Sequence, residues 1–442
     1  MPAVRNKYWD GKIRLYNTMT GLTYAGLVQN ISEFAASRNY QVEVDPELIH
    51  TYQITDDLVT SFLEYCKLKI TPRDYQLQAF RHAVSKDRAV FLSPTASGKS
   101  FIIYLIIRYY NEKTLIVVPT TSLVSQLATD FADYGFDSGS KVHSIYAGQD
   151  KQTDKPITIS TWQSVYKMPR TWFDQFKLVI GDEAHQFKAK SLTSIMEKLH
   201  NCPYRFGFTG TLDDSLTNKT TLEGLFGPVK QVTTTNKLME QGHVAELKIK
   251  TLILQYSQEI RKQCKDYDYQ TEIDFLVRYE ARNKFITNLA SSIKGNTLVL
   301  YQFVDKHGKI VYDIIYKKNT DRKIFFIHGG VDAEEREQVR AIVEKENDAI
   351  IVASYGTFST GINIRNLHNV ILASPSKSRI RVLQSIGRGL RTSDSKDAVT
   401  VYDIADDLKY KTHTNFTLQH LLERLEIYNS ENFNYKIYNM EI

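Results

Sequence analysis

Cysteine is scarce in this chain: three residues, Cys66, Cys202 and Cys264, among 442. They are odd in number and share no ligand-like spacing, which argues against a disulfide framework or a zinc site and for a reducing compartment. Long hydrophobic runs are missing as well. The longest, residues 101–107, is far short of the ~20 residues that cross a bilayer and reads as a buried helix. The start, Met1-Pro-Ala-Val-Arg5, carries no apolar stretch of a secretion signal. A soluble cytoplasmic protein without membrane partners is therefore expected. Charge of one sign is not abundant: 56 Lys and Arg against 50 Asp and Glu leave +6. That balance is compatible with binding a phosphate backbone but does not establish it. Repeats and low-complexity tracts are absent too.

What is present is a 42% apolar composition, enough for the cores of two or three domains in a chain of this length. From about residue 88, short β-branched runs alternate with helical stretches, the pattern of parallel βαβ units. Strands are expected at 89–92, 114–118, 141–146, 158–160, 178–181 and 205–208, then at 297–301, 323–327, 349–353, 369–373 and 399–402. Most are nearly all apolar, as expected for strands covered on both faces. The fold class is α/β. A boundary is expected near Val232–Glu246, with a helical segment, 257–293, leading into the second sheet. The first residues read differently, with an Asp10-Gly11 turn signal that suggests a hairpin and a helical pattern near 27–37. The expected division is a small α+β appendage over 1–68 and α/β domains over 69–235 and 236–442.

Ser93-Pro-Thr-Ala-Ser-Gly-Lys-Ser100 lies between an expected strand and an expected helix. A loop of this kind, Pro94–Gly98 with its neighbours, wraps the phosphates and turns its backbone N–H groups, all but that of the N–H-less Pro94, toward their oxygens. Within it Thr95, Ala96 and Ser97 are cradle residues, Lys99 would neutralise β- and γ-phosphate charge, and Ser100 would ligate Mg²⁺. Asp182-Glu-Ala-His185 follows an apolar strand at its carboxyl end, where open α/β sheets place ligands. Asp182 would hold Mg²⁺ and Glu183 would orient or deprotonate the attacking water. Arg388 and Arg391, three apart on one helical face, would meet charge developing on the transferred phosphoryl group, and Gln384 lies one turn earlier. Upstream, Arg73 and Gln76 stand where adenine would be read, since a glutamine can pair with its N6 and N7. Together these fragments describe an ATP and Mg²⁺ site assembled from both halves of the chain.

In this order the pieces resemble the superfamily 2 helicases of the DEAH-box-like branch, which have two RecA-like domains in tandem. Arg73–Gln76 is similar to the Q motif, Ser93–Ser100 to motif I, Val118–Leu123 to motif Ia and Ser160–Gln163 to motif Ib. Asp182–His185 is similar to motif II, Thr209-Gly-Thr211 to motif III, Leu298–Phe303 to motif IV, Ser354–Asn363 to motif V and Gln384–Arg391 to motif VI. Within that superfamily the likeness is to the phage UvsW type, on Trp9–Leu15, Trp162-Gln163, Gly207–Gly210, Thr234–Met239, Arg282–Lys284, 353–361 and Phe433–Tyr435. The resemblance implies an ATP-dependent DNA helicase for branch migration, fork regression and unwinding of D-loops or R-loops, in recombination, repair and replication. It also implies that Gly361 of motif V serves the nucleotide and that His185 couples hydrolysis to motif III through the hydroxyl of Thr209 or Thr211. Ser93 in place of the usual first glycine, Thr209 at the head of motif III, Asn363 in motif V and Gln384 at the head of motif VI depart from the commoner pattern. The last speaks against an RNA remodeller.

Nucleic acid would be held by hydroxyls and amides that contact phosphate without reading bases. Thr120, Thr121 and Gln163 are the candidates in the first domain and Thr360 and Gly361 in the second, although each hydroxyl also fits ordinary helix capping. Trp9, Lys12 and Arg14 of the expected hairpin are candidates for stacking on, or gripping, a junction. The partners expected are forked or four-way branched DNA, RNA–DNA hybrids and recombination proteins. An RNA helicase, a restriction-type translocase and a non-catalytic nucleic-acid scaffold are the alternatives. The intact Lys99, Asp182, Glu183, Arg388 and Arg391 oppose the scaffold.

Overall fold

The structure is a computed structural model that describes residues 12–48, 51–146, 148–212, 215–361, 364, 366–374, 386–387, 390 and 398–442. Trp9, Gln384, Arg388 and Arg391 lie outside them, as does most of motif VI. The chain forms two units, one of residues up to Ser93 with Gly98–Thr233, the other of Pro94–Ser97 with Thr234–Ile442.

The first unit is built on seven parallel strands: β1 (Arg88–Leu92), β2 (Thr114–Val118), β3 (Val142–Ile145), β4 (Ile157–Thr161), β5 (Leu178–Asp182), β6 (Tyr204–Thr209) and β7 (Val229–Gln231). Their order is β3-β4-β2-β5-β6-β1-β7, which sets β1 beside β6 and β5 beside β2. Because side chains alternate along a strand, Ala89 and Phe91 enter one core with Phe101 and Ile102, while Val90 enters the other with Leu225 and Phe226. Two cores explain why the inner strands carry apolar residues on both faces. Glycine at two places is a packing demand: a Cβ on Gly181 would come within 2.8 Å of the Phe187 and Phe226 rings, and one on Gly207 within 3.2 Å of Phe226.

The described part of the appendage is helical, with Val28–Ala36 and Asp56–Cys66, and packs on the first unit. Gly26 abuts the carbonyl of Glu223, where a Cβ would lie 2.0 Å away. Asn30 donates to Glu223 at 3.2 Å and Tyr24 to Glu197 at 2.8 Å. The expected hairpin turn at Asp10-Gly11 lies outside the described residues; the turn they do show is bridged by Tyr16 and Thr23, an isolated antiparallel pair. The intervening Asn17 closes the turn, accepting from the amides of Met19 and Thr20.

The second unit repeats the plan with β8 (Glu246–Gln255), β9 (Thr297–Tyr301), β10 (Ile324–Ile327), β11 (Ile350–Ser354), β12 (Asn369–Leu372), β13 (Ala398–Asp407) and β14 (Tyr435–Glu441), ordered β10-β11-β9-β12-β13-β8-β14. The expected helical segment 257–293 is three helices, Gln258–Cys264, Tyr269–Arg278 and Glu280–Ser292. The first two begin at Ser257 and Asp268, whose side chains cap them. The unit is threaded by buried charge. Arg282, wholly buried, bonds Asp406 at 2.8 Å and the Ala373 carbonyl at 2.9 Å, and Tyr256 donates to the same carboxylate at 2.8 Å. Arg424 and Tyr428 both hold Asp403 at 2.9 Å. Glu272 accepts from the amides of Phe416 and Thr417 at 2.9 and 2.8 Å and so caps the Phe416–Ser430 helix.

Removing one partner of a dry ion pair strands the other charge, which costs about 3–5 kcal/mol. Arg282→Ala should therefore lower the unfolding free energy by about that amount, read by urea titration. A loss under about 1 kcal/mol would show that Asp406 does not need its partner.

Candidate functional site

Motif I leaves β1 at Ser93, whose amide donates to the Thr209 carbonyl at the end of β6, 2.8 Å away. The loop then turns through two left-handed residues, Ala96 at φ 66° and Gly98 at φ 78°, and Ser97 closes on the Pro94 carbonyl at 2.6 Å. Gly98 caps the Lys99–Tyr110 helix, so the loop ends where unpaired amides and the helix dipole favour an anion. A Cβ at Gly98 would stand 2.3 Å from Gln76 Nε2, which requires glycine there on grounds of space as well as φ. Gln76 is buried, and its carboxamide oxygen accepts from the Arg73 amide at 2.9 Å in a capping box. Arg73 in turn donates to the Tyr75 hydroxyl at 2.8 Å. The Q motif is thus seated against motif I.

Asp182 ends β5 and is buried. Burial, then the charge of Glu183, push its carboxyl up to about 6, although Lys99 and the Glu183 amide pull the other way. The Glu183 backbone is left-handed at φ 51°, a conformation that costs a non-glycine residue on the order of 1 kcal/mol. His185 Nδ1 lies 2.9 Å from the Thr209 hydroxyl and 3.4 Å from Glu183 Oε2. Thr209 passes the contact on, donating to the Thr211 carbonyl at 2.8 Å. Motifs II and III therefore share one hydrogen-bonded chain through Thr209, while the Thr211 hydroxyl is buried without a partner in the structure.

Lys99 reaches back to the Ser93 carbonyl at 3.4 Å, and the Ser100 hydroxyl lies 2.7 Å from that of Tyr134. Tyr134 is a contact that sequence reasoning missed, because a lone tyrosine at a helix end carries no motif. Magnesium ions commonly take one or two carboxylates plus substrate phosphates and water. No group of three or more His, Cys, Asp or Glu suited to a metal occurs among the described residues. A buried carboxyl whose charge is disfavoured by its neighbour, beside a hydroxyl at the head of a helix, does fit such an ion. Asp182 and Ser100 would hold it.

The candidate strand contacts stand on loops at the carboxyl ends of β2 and β4. Thr120 caps the Thr121–Asp133 helix without a side-chain bond to its amides and lies 3.1 Å from the Ser122 hydroxyl. Thr121 and Gln163 are exposed. Thr360 and Gly361 end the Tyr355–Gly361 helix behind β11. Lys12 and Arg14 are exposed, and Arg14 lines an open cleft of about 610 Å³ with Tyr16, Leu22, Tyr24 and Glu197.

The chain is 38% identical over 460 aligned residues to the ATP-dependent DNA helicase uvsW of Enterobacteria phage T4, covering 98% of this chain and 91% of that protein. It belongs to the UvsW-type helicases. Family models agree: "Type III restriction enzyme, res subunit" matches residues 69–214 and "Helicase conserved C-terminal domain" residues 280–393. A DNA 3'-5' translocase, XPB2 of Sulfurisphaera tokodaii, is 28% identical across 76% of this chain and 82% of its own. The fold recurs in the ATP-dependent Type ISP restriction-modification enzyme LlaBIII bound to DNA, at TM-score 0.62, 15% identity, 84% of this chain and 31% of that one. It recurs again in Saccharomyces cerevisiae Dbp5 bound to RNA and ADP BeF3, at 0.59, 12%, 88% and 94%. No described helix is long and apolar enough to cross a membrane.

The raised Asp182 carboxyl fixes a sign. Because its folded pKa exceeds the ordinary 3.8, its contribution to stability is full below about pH 4 and is lost as pH rises through about 6. At pH 7.5 the nucleotide-free helicase thus carries a burden on the order of 2–3 kcal/mol. Asp182→Asn should raise its thermal midpoint at pH 7.5 while abolishing ATPase. An unchanged or lower midpoint would mean that the carboxylate is not strained.

Proposed function

We propose that this UvsW-type helicase couples ATP hydrolysis to translocation on branched DNA, driving branch migration, fork regression and the unwinding of D-loops or R-loops. The observation that carries the reading is the convergence, in the first unit, of Gly98 capping the Lys99–Tyr110 helix, a buried and charge-strained Asp182 and the His185–Thr209 chain. The likeness to a phage DNA helicase over nearly the whole chain supports DNA as the track.

In this reading the Thr95–Gly98 amides, set by the turn at Pro94, and Lys99 grip the β- and γ-phosphates, and Gln76 with Arg73 meets the adenine. Glu183 accepts the proton of the attacking water, its aim fixed by the left-handed backbone beneath it. Magnesium, held by Asp182 and Ser100, supplies Lewis-acid polarisation of phosphate oxygens. His185 senses the state of Glu183, 3.4 Å away, and carries it to motif III through Thr209. Arg388 and Arg391 balance charge on the transferred group, with Gln384 on the same face and Gly361 beside the nucleotide. Thr120, Thr121, Gln163 and Thr360 grip one strand by its phosphates, and Trp9, Lys12 and Arg14 serve the junction. Such contacts suit a motor that steps along any sequence.

Two variants test the chemistry. Lys99→Ala should lower ATPase about a hundredfold or more with binding to a four-way junction retained, measured by anisotropy; parallel loss of both would refute the assignment. Glu183→Gln should retain bound ATP after gel filtration, and rapid turnover by it would remove Glu183 from its role. For the substrate, steady-state ATPase at fixed salt should rise most with a four-way junction or fork, above duplex, single-stranded DNA and single-stranded RNA. Stimulation by RNA alone would overturn the DNA reading.

A further inference from the structure

The hydroxyl of Ser100 is not solitary. It lies 2.7 Å from that of Tyr134, a residue held from three sides. Its ring meets Phe101 edge-on, with centroids 5.0 Å apart, and Tyr104 at 5.5 Å. Its amide donates to Asp130 at 3.1 Å, and its carbonyl accepts from the Lys69 amide at 3.4 Å. Tyr134 therefore presents its oxygen from a fixed position, and Ser100 turns toward it.

A serine hydroxyl has one proton and two lone pairs. When the proton is committed to a fixed acceptor, a lone pair is left to face a cation. A metal that draws electron density from the oxygen makes the O–H a better donor, so the two contacts reinforce each other. We propose that Tyr134 is a positioning residue for magnesium: its phenol oxygen accepts the Ser100 proton and so aims the serine oxygen at the ion. The inference rests on the reading of Ser93–Ser100 as the nucleotide loop. It adds to that loop a residue 34 positions beyond Ser100, at the end of the helix that begins with Thr121.

The test is a magnesium titration of fluorescent mant-ADP binding to the full-length protein, wild type against Tyr134→Phe, which keeps the ring contacts and removes only the acceptor. In EDTA the two should bind mant-ADP alike. The magnesium concentration at half-effect should rise about tenfold in Tyr134→Phe and comparably in Ser100→Ala, and the double variant should match Ser100→Ala alone. Tyr134→His, which retains a ring acceptor, should fall between wild type and Tyr134→Phe, and it takes the place of Tyr134→Phe if melting shows that the latter does not fold. A shift under about twofold, weakening in EDTA as great as in magnesium, or an effect that adds in full to Ser100→Ala would overturn the proposal. Wild-type protein that binds no mant-ADP under either condition would instead overturn the nucleotide reading beneath it.

Discussion

A carboxylate held in a place that disfavours its charge is the constraint around which the first unit is arranged. Asp182 is carried to the end of a strand buried on both faces, and burial is the larger cause of its raised pKa, with Glu183 second. Nothing in an apolar α/β core gains from such a group, so its surroundings are best understood as readiness for a cation. Lys99 and the Glu183 amide offset part of the strain, and the Glu183 charge adds to it. Even the glycines conform: Gly181 and Gly207 leave room for the Phe187 and Phe226 rings that floor the loop behind β5. The loop is fixed from below by packing and along its length by the hydrogen bond of His185 to Thr209.

The second unit handles buried charge differently. Arg282, Asp406, Tyr256, Arg424, Asp403 and Tyr428 pair with one another in the dry interior, leaving Arg282 Nη1 without a hydrogen-bond partner among the described residues. Ser374 shows what that arrangement secures. Its hydroxyl takes the amide of Gln302 at 3.1 Å and meets His307 at 2.9 Å, and its carbonyl accepts from Tyr355 at 3.0 Å. One residue thereby ties motif IV to motif V at the point where the chain sets out toward motif VI. Burial and the nearby Arg282 push His307 down to about 3, so this junction stays neutral at His307 through the physiological range.

Sequence alone made most of this legible where chemistry and periodicity coincide. All-apolar runs such as Thr114–Val118 and Thr297–Tyr301 are strands with the expected ends, because both faces of each sheet are covered. The three strands without an expectation are instructive. In β8, Glu246–Gln255, polar residues alternate with apolar ones through Glu246, Lys248 and Lys250, whereas most of the runs read as strands are nearly all apolar. The short β7 and the exposed β14 lie at the sheet edges, where little burial constrains composition. At the site, residue types revealed Lys99, Asp182 and Glu183, yet the capping role of Gln76, the choice of Thr209 by His185 and the Tyr134 contact depend on distances between segments.

The central claim is that this chemistry moves branched DNA, and the most direct measurement follows a four-way junction with homologous arms, labelled on one strand, as it converts to two duplexes. The account predicts conversion by wild-type protein with ATP and magnesium, and none with ADP or with Lys99→Ala. Protein that hydrolyses ATP in the presence of the junction yet leaves it unconverted would contradict it.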